Sequence, residues 1–523
     1  MSRVYAPRVK RAVLATAAFT LLLAGCGDDE QKSAAAQRTT TAGADATAQP
    51  QQPQGPPPLS QQFRTRPDLK PPVIRITTAA RGTAPGYIVM GPKMVVAQAG
   101  PMIMDNHGEV VWFKPLTKTK GITDVRVQQY KGRPVLTWWR GRVSMEGIGE
   151  AGWFVIYNDS YQAVAEIRPG NNLTGDIHEF LITPRDTALI LIYHRVKQDL
   201  SRIGGPKQGK VWDGIVQEVD IPTGRVLFEW HSFPRVGVEE SYAQVPDAKK
   251  GAKADAYDYF HANAIDIDTD GNFLVSARNT HAIYKIDRRT KRILWRLGGK
   301  RSDFKMGPGT KFGWQHDVRR QQDGTITLFD NSAAPPLAKF SRVLKLRVDT
   351  TNKRATLVRS FAHPKRLLVP FEANAQFLPN GNVFVGWGAI PYVTEFDANG
   401  RTVFEASFGR GKTKITGAFQ DADSYRAYRF VWHGHPVDRP RVVVQGQGGR
   451  ANVYVSWNGA TEVTRWRVLA GSDAQHLLPV RMAPKTGFET AIPVDTRHRF
   501  FAVQAFDASG RLLRTSRPVA AKS

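Results

Sequence analysis

A single cysteine among 523 residues leaves no pair for an internal disulfide, so the stability of the fold must come from packing. Past residue 80 helical periodicity is scarce, which points away from helical folds and towards an all-β class. Acidic residues are in deficit: 46 Asp and Glu face 73 Lys and Arg, for a net charge of +27. That balance favours anionic partners, whether nucleic acid, acidic lipid headgroups or small sulfate and phosphate esters. No Lys/Arg-rich run is interleaved with aromatics, so nucleic acid is not an expected partner and most of the charge reads as solvated surface. Long apolar runs are missing too: the stretch that starts near Ala12 ends at Cys26, too short to cross a bilayer as a stable helix.

Core material, by contrast, is ample, at 41% hydrophobic and 10% aromatic residues. Arg3, Arg8, Lys10 and Arg11 form a basic segment ahead of the apolar stretch, which closes on Leu23-Ala24-Gly25-Cys26. Small residues directly before one cysteine are similar to a bacterial lipobox. The expectation is cleavage before Cys26, lipidation of its thiol, export, and anchoring to the outer face of the cytoplasmic membrane. An ordinary signal peptide with an incidental cysteine is the alternative. Residues 27–64 are rich in Ala, Thr, Gln and Pro and read as a spacer.

Beyond it the chain is a succession of short β-type runs separated by Asp-Gly and Asn-Gly turns. One plan recurs: two strands about such a turn, a third ending in Asp, another turn, then a strand carrying a large aromatic. Residues 261–299 give the clearest copy and 371–408 a second, with looser copies at 125–167, 177–233 and 314–361 and a partial one at 85–113. A period of roughly 40 to 50 residues predicts a β-propeller of about six blades over residues 65–439. A sandwich stack fits this spacing less well. The short alternating strands of residues 440–523 predict a small fibronectin-like β-sandwich, suited to packing or docking.

In a blade the first strand lines the central channel, so the start of the first strand and the end of the second lie at one channel mouth. Three successive copies open their first strand with histidine: His178, His261 and His316. Second-strand ends supply His194, Arg278 and Asn331, and all six are expected to crowd one end of the channel. A lone histidine at a strand start is more often structural than functional; the repeated register is what argues for a site. The last copy carries Glu372 at the matching position, so histidine is not a requirement of the repeat. The permanent charge of Arg278 makes a metal ion costly beside it, and a guanidinium with imidazole N–H groups suits a sulfate or phosphate instead.

The segments HANAIDIDTDGNFLVSARN, WQHDVRRQQDGTITLFDNS and ILWRLGG resemble blade motifs of the bacterial arylsulfotransferases, a PAPS-independent family, over roughly residues 70–440. The resemblance implies a six-bladed propeller. It also implies transfer of a sulfuryl group from a phenolic sulfate ester to a phenolic acceptor through a transient sulfohistidine, with no cofactor. Carried over by motif, His316 is the nucleophile, and His261, Arg278 and His178 bind the sulfuryl oxygens. Asn331, Asn263 and His194 are assigned to substrate binding. Family members with a sizeable N-terminal β domain and a disulfide differ from this chain, which has neither feature in its sequence pattern and adds the C-terminal segment instead. Two other readings stay open: a membrane-anchored propeller that binds an anionic ligand or partner protein without catalysis, and a metal-dependent hydrolase or lyase on the same scaffold. Oligomeric state is not legible.

Overall fold

The computed structural model describes residues 60–116, 121–144, 147–411, 414 and 420–522. Cys26 and most of the expected spacer lie outside the described residues. Strands dominate, and among the described residues the only helices are three short 3-10 turns. The chain is therefore all-β, as its scarcity of 3.6-residue periodicity requires.

Among the described residues of 74–430, six sheets of four or five strands follow one another, antiparallel except where Lys305–Met306 runs parallel to Arg354–Phe361. Lys93–Met94 pairs with Ala422–Asp423 in a separate two-stranded sheet. The second sheet runs Gly121–Tyr130, Arg133–Gly141, Trp153–Tyr157, Ala163–Ile167, and the third Gly175–Ile182, Thr187–Gln198, Gly209–Asp220, Val226–His231. The fourth contains Ala262–Ile267, Phe273–Ala277, Ala282–Ile286 and Ile293–Gly298; the fifth contains His316–Arg320, Ile326–Asp330, Arg342–Asp349 and Arg354–Phe361. The Asp-Gly and Asn-Gly turns that join them need a left-handed residue, and Gly271 (φ 80°) and Gly381 (φ 84°) supply it.

The remaining two sheets are assembled from both ends of this region. Tyr87–Met90, Met102–Met104 and Val110–Phe113 lack an inner strand, and Ala427–Phe430 provides it by pairing with Tyr87–Met90. Ile74–Thr78 joins the outer edge of the sixth sheet, beside Thr402–Phe408. The partial repeat at residues 85–113 is thus completed by a segment more than 300 residues away in sequence, which periodicity alone does not show.

Inner strands touch in succession: Gly121–Tyr130 with Gly175–Ile182, then Ala262–Ile267, His316–Arg320, Asn374–Phe377 and Ala427–Phe430, which returns to Gly121–Tyr130. Apolar clusters fill the spaces between neighbouring sheets. One joins Leu189, Val216 and Trp230 of the third sheet to Ile265, Phe273 and Tyr284 of the fourth. Another joins Ile88, Met90 and Met102 of the first to Phe384, Val393 and Phe404 of the sixth. Each fully buried side chain of this size is worth roughly 1.5–3 kcal/mol relative to exposure, so the contacts between sheets, not cross-links, hold the chain together.

Residues 441–522 form two further sheets, Arg441–Gln447, Arg450–Ser456, Glu489–Asp495 and Leu478–Pro484, Arg465–Gly471, Phe500–Phe506, Leu512–Thr515, which bury Val453, Trp466, Ile492 and Val503 in a common core. Residues 60–65 pack against them. Phe63 packs against Phe488 with ring centroids 4.3 Å apart and planes tilted by 42°, the Arg64 guanidinium donates to Gln445 Oε1 at 2.8 Å, and the Thr65 amide donates to Glu489 Oε2 at 2.6 Å. The spacer expected to reach Arg64 therefore gives way to packed chain by Ser60, because Phe63 has an aromatic partner that composition does not reveal.

Candidate functional site

Every inner strand of the second to fifth sheets breaks register near its start, at Thr123/Arg126, Gly175/Phe180, Ala262/Ala264 and His316/Arg319. Such bulges re-aim side chains, so sequence neighbours face different layers. Asp124, His261, Asp317 and Glu372 all adopt positive φ (54°, 51°, 54° and 67°), a conformation that costs non-glycine residues energy and concentrates at functional sites. The result is two stacked layers: histidines above, ions below.

In the upper layer the His178 and His261 rings meet edge to face with centroids 4.8 Å apart. Each is backed by a carboxylate on Nδ1, Asp176 for His178 and Asp258 for His261. Both imidazoles thus keep Nε2 for another partner. Burial lowers the His261 pKa, and Asp258 works against that shift. Tyr425 lies 5.6 Å from the His178 ring, and Tyr193 lies 6.0 Å from both His178 and His261.

His316 is fully inside and is oriented from both ends. Asn331 donates through Nδ2 to the Val369 and Glu372 carbonyls at 3.2 and 3.0 Å, which fixes its Oδ1 as the acceptor for His316 Nδ1–H at 2.8 Å. The proton therefore sits on Nδ1, and Nε2 carries the lone pair, touched only by the Glu372 amide N–H at 3.3 Å. Burial, then Arg278, holds this imidazole well below its ordinary pKa, with His178 and His261 adding to the effect. A neutral, pre-aimed imidazole beside a guanidinium is an arrangement suited to nucleophilic attack on an anion.

Arg278 lies over the Trp314 ring at 4.7 Å, and its Nη1 donates to Asn279 Oδ1 at 2.9 Å. Burial pushes its guanidinium down to about 10, only partly offset by Asp258 and Tyr193. A desolvated cation with this little compensation is stabilised by an incoming anion.

The structure thus brings His178, His261, His316 and Arg278 together, although the three histidines do not share the expected register. It does not bring His194 in. The second strand of the third sheet continues to Gln198, so His194 is mid-strand and exposed opposite Asp213, while its neighbour Tyr193 takes the inward position. Asn331 is a positioning group for His316 rather than a free substrate ligand. Asn263 is likewise built into the wall, its Nδ2 donating to the Gln315 carbonyl at 2.7 Å. Among the described residues no three His, Cys, Asp or Glu side chains are grouped as metal ligands.

Sequence reasoning missed the aromatic surround and His281. His281 stacks on Tyr242 at 4.1 Å and meets Trp314 edge-on at 4.3 Å. Burial, Arg278 and Lys300 lower its pKa to about 4. Between pH 6.5 and 4 the unfolded chain protonates this histidine and the folded chain does not, so its contribution to stability is lost as pH falls, by roughly 3 kcal/mol at most. Replacing it, as in His281→Gln, should flatten the fall of melting temperature across that interval; a curve parallel to the parent protein's would contradict the assignment. The spacing of the repeat offered no signal here, since His281 occupies a turn and not a strand start.

A cavity of about 410 Å³ opens beside this layer, lined by the loop from Ala243 to Asp258 and by Asn279, large enough to hold a substituted phenyl ring. A second cavity of similar volume lies at the junction with the C-terminal sheets, between Tyr87, Trp432 and Glu462, and contains none of these histidines.

Below the histidines, Glu179 and Asp317, each directly following a site histidine, face inward with Asp124. Arg426 reaches Asp124 and Glu179 at 3.0 Å and Asp317 at 3.6 Å; Arg319 reaches Glu179 and Asp317 at 2.7 and 2.8 Å; Arg126 pairs with Asp124 and Glu179. Burial would raise the Glu179 carboxyl, but Arg319, Arg426 and Arg126 together pull it well below the usual carboxylate range. Three acids and three arginines cancel, so this buried cluster of ions carries no net charge.

Comparison with known proteins gives a family model described as Arylsulfotransferase (ASST) that matches residues 126–409. No curated protein gives a significant match. Among solved structures, a protein of unknown function from Bacteroides caccae is similar over 66% of this chain and 98% of its own, at 13% identity and TM-score 0.39. A catalytically inactive variant of virginiamycin B lyase from Staphylococcus aureus, with quinupristin, is similar over 74% of this chain and 97% of its own, at 8% identity and TM-score 0.33. A protein of unknown function from Dyadobacter fermentans covers 75% and 96%, at 14% identity and TM-score 0.34.

Proposed function

The chain belongs to the arylsulfotransferase (ASST) family, a sulfotransferase assignment from which we propose that it transfers a sulfuryl group between phenols by a two-step, PAPS-independent route through sulfo-His316. In the first step Nε2 of His316 attacks the sulfur of an aryl sulfate, the N–S bond forms, the S–O bond breaks and the phenolate leaves. In the second step an acceptor phenol oxygen attacks the same sulfur and the N–S electron pair returns to Nε2. His178, His261 and Arg278 hold the sulfuryl oxygens, where charge accumulates; comparable donors are worth roughly 3 kcal/mol each. One pocket serves donor and acceptor in turn, and no cofactor takes part. The observation that carries this reading is the two-ended hold on His316, which leaves an unprotonated Nε2 beside two carboxylate-backed imidazoles and a desolvated arginine.

The finer architecture belongs to the same proposal. The succession of inner strands and the intersheet clusters support a six-bladed propeller, with a fibronectin-like sandwich at the C-terminus. The lipobox-like segment supports an exported protein anchored through Cys26.

Brief exposure of the purified protein to phenyl sulfate, followed by peptide mass spectrometry, tests the chemistry. The expected result is an acid-labile adduct of one sulfuryl group on His316. An active protein with no adduct, or with one elsewhere, would overturn the covalent route.

A further inference from the structure

Resting on the sulfotransferase reading above, we propose that the Glu372 carboxylate is the proton carrier of the cycle, releasing a proton to the departing phenolate and taking one from the acceptor phenol.

The placement is geometric first. The Glu372 amide donates to Nε2 of His316 at 3.3 Å, so the residue sits at the attacking atom. Its backbone is held at φ 67°, followed by Ala373 at φ 89°, two consecutive left-handed residues of the kind that concentrate at functional sites. The carboxylate is nearly buried. Oε1 accepts from Lys93 Nζ at 2.8 Å, and Oε2 has no hydrogen-bond partner although it is shut off from solvent. Unpartnered buried carboxylate oxygens are costly and few, and this one becomes satisfied when it holds a proton or meets a hydroxyl.

The surrounding charges leave room for one proton. Lys93 is shared between Glu372 and Asp423, the latter at 2.6 Å, so two carboxylates face one ammonium. Asp421 stands behind Asp423 and raises it further. Tyr425, which packs against His178, feels the Glu372 charge, and Asn331 is bound to the Glu372 carbonyl. Burial raises the Glu372 carboxyl to about 7, with Lys93 opposing and Asp423 adding to the shift. Such a group exchanges protons readily near neutrality.

The steps balance. In the first half-reaction Glu372–COOH gives its proton to the phenolate as the S–O bond breaks. In the second, Glu372–COO⁻ takes the phenol proton as the O–S bond forms and the N–S pair returns to His316. The enzyme ends as it began. The Glu372 carboxyl and the His316 imidazole divide the work: one moves the proton, the other the sulfuryl group.

Rapid-mixing kinetics on the parent protein and Glu372→Gln provide the test, with donors of two leaving abilities. 4-Nitrophenyl sulfate releases a phenolate that needs little protonation, and phenyl sulfate one that needs it. The variant should slow transfer from preformed sulfo-enzyme to phenol by about 10²-fold or more. It should slow the nitrophenolate burst far less, and lose less with more acidic acceptor phenols. Equal slowing of every step, or transfer at the parent rate, would overturn the role of Glu372. Should the variant fold poorly, the parent protein decides alone: transfer from sulfo-enzyme must depend on a single ionisation near neutrality, and a flat profile refutes the proposal. Absence of any burst in the parent protein would instead refute the covalent reading on which it rests.

Discussion

His316→Ala is expected to lower sulfuryl transfer by at least about 10³-fold while leaving a folded protein, because on the proposed route it removes the nucleophile and leaves only binding and charge stabilisation behind. The residual rate should no longer show a burst. Losing the imidazole also strands Asn331 Oδ1, which accepts the Nδ1 proton at 2.8 Å. A buried acceptor without a donor costs about 1–3 kcal/mol, so a modest drop in melting temperature should accompany the loss of activity. Asn331→Leu separates the two effects. It keeps the nucleophile but frees its tautomer, so kcat should fall with little change in KM and the burst should persist. Steady-state and burst kinetics with 4-nitrophenyl sulfate, beside thermal melts, check each point. Full activity in His316→Ala would eliminate the nucleophile assignment.

Arg426→Ala should destabilise the fold by about 3–5 kcal/mol, since it leaves buried carboxylates facing too few cations. Arg426 is fully buried and reaches Asp124, Glu179 and Asp317, each from a different sheet, and the Asn263 carbonyl at 3.0 Å. It also precedes Ala427–Phe430, the strand that completes the first sheet, so loss of the ion pairs loosens the ring where its two ends meet. Arg426→Lys should recover little of this, because one ammonium cannot present the planar fork that spans three carboxylates. Denaturant unfolding measures both variants. A change below about 1 kcal/mol in Arg426→Ala would show that these buried ion pairs do not hold the inner strands together.

Legibility differed from residue to residue for physical reasons. His178, His261 and His316 were readable because each lies near the start of an inner strand. The expected common register does not hold: His178 is the fourth residue of its strand, His261 precedes its strand and His316 opens its own, with bulges at each place. His194 was misplaced because its strand runs on to Gln198, and a shift of one residue exchanges the faces, giving Tyr193 the inward place. Sequence position fixed where the Asn331 backbone lies, whereas its side chain is already committed to His316, Val369 and Glu372; Asn263 gives its Nδ2 to Gln315 and keeps Oδ1 without a partner.

By itself, the sequence determined what depends on local periodicity: an all-β chain, the repeat, histidines near the starts of inner strands, and the kinship carried by the motifs around His261 and His316. Tertiary structure alone decided which distant segments meet. Ala427–Phe430 completes a sheet begun at Tyr87, Phe63 finds Phe488, Glu372 faces Lys93, and three arginines from separate sheets neutralise three acids beneath the site. Pairings of this kind follow from contacts between segments far apart in sequence and from bulges that turn adjacent residues into different layers, and neither leaves a trace in the spacing of residues along the chain.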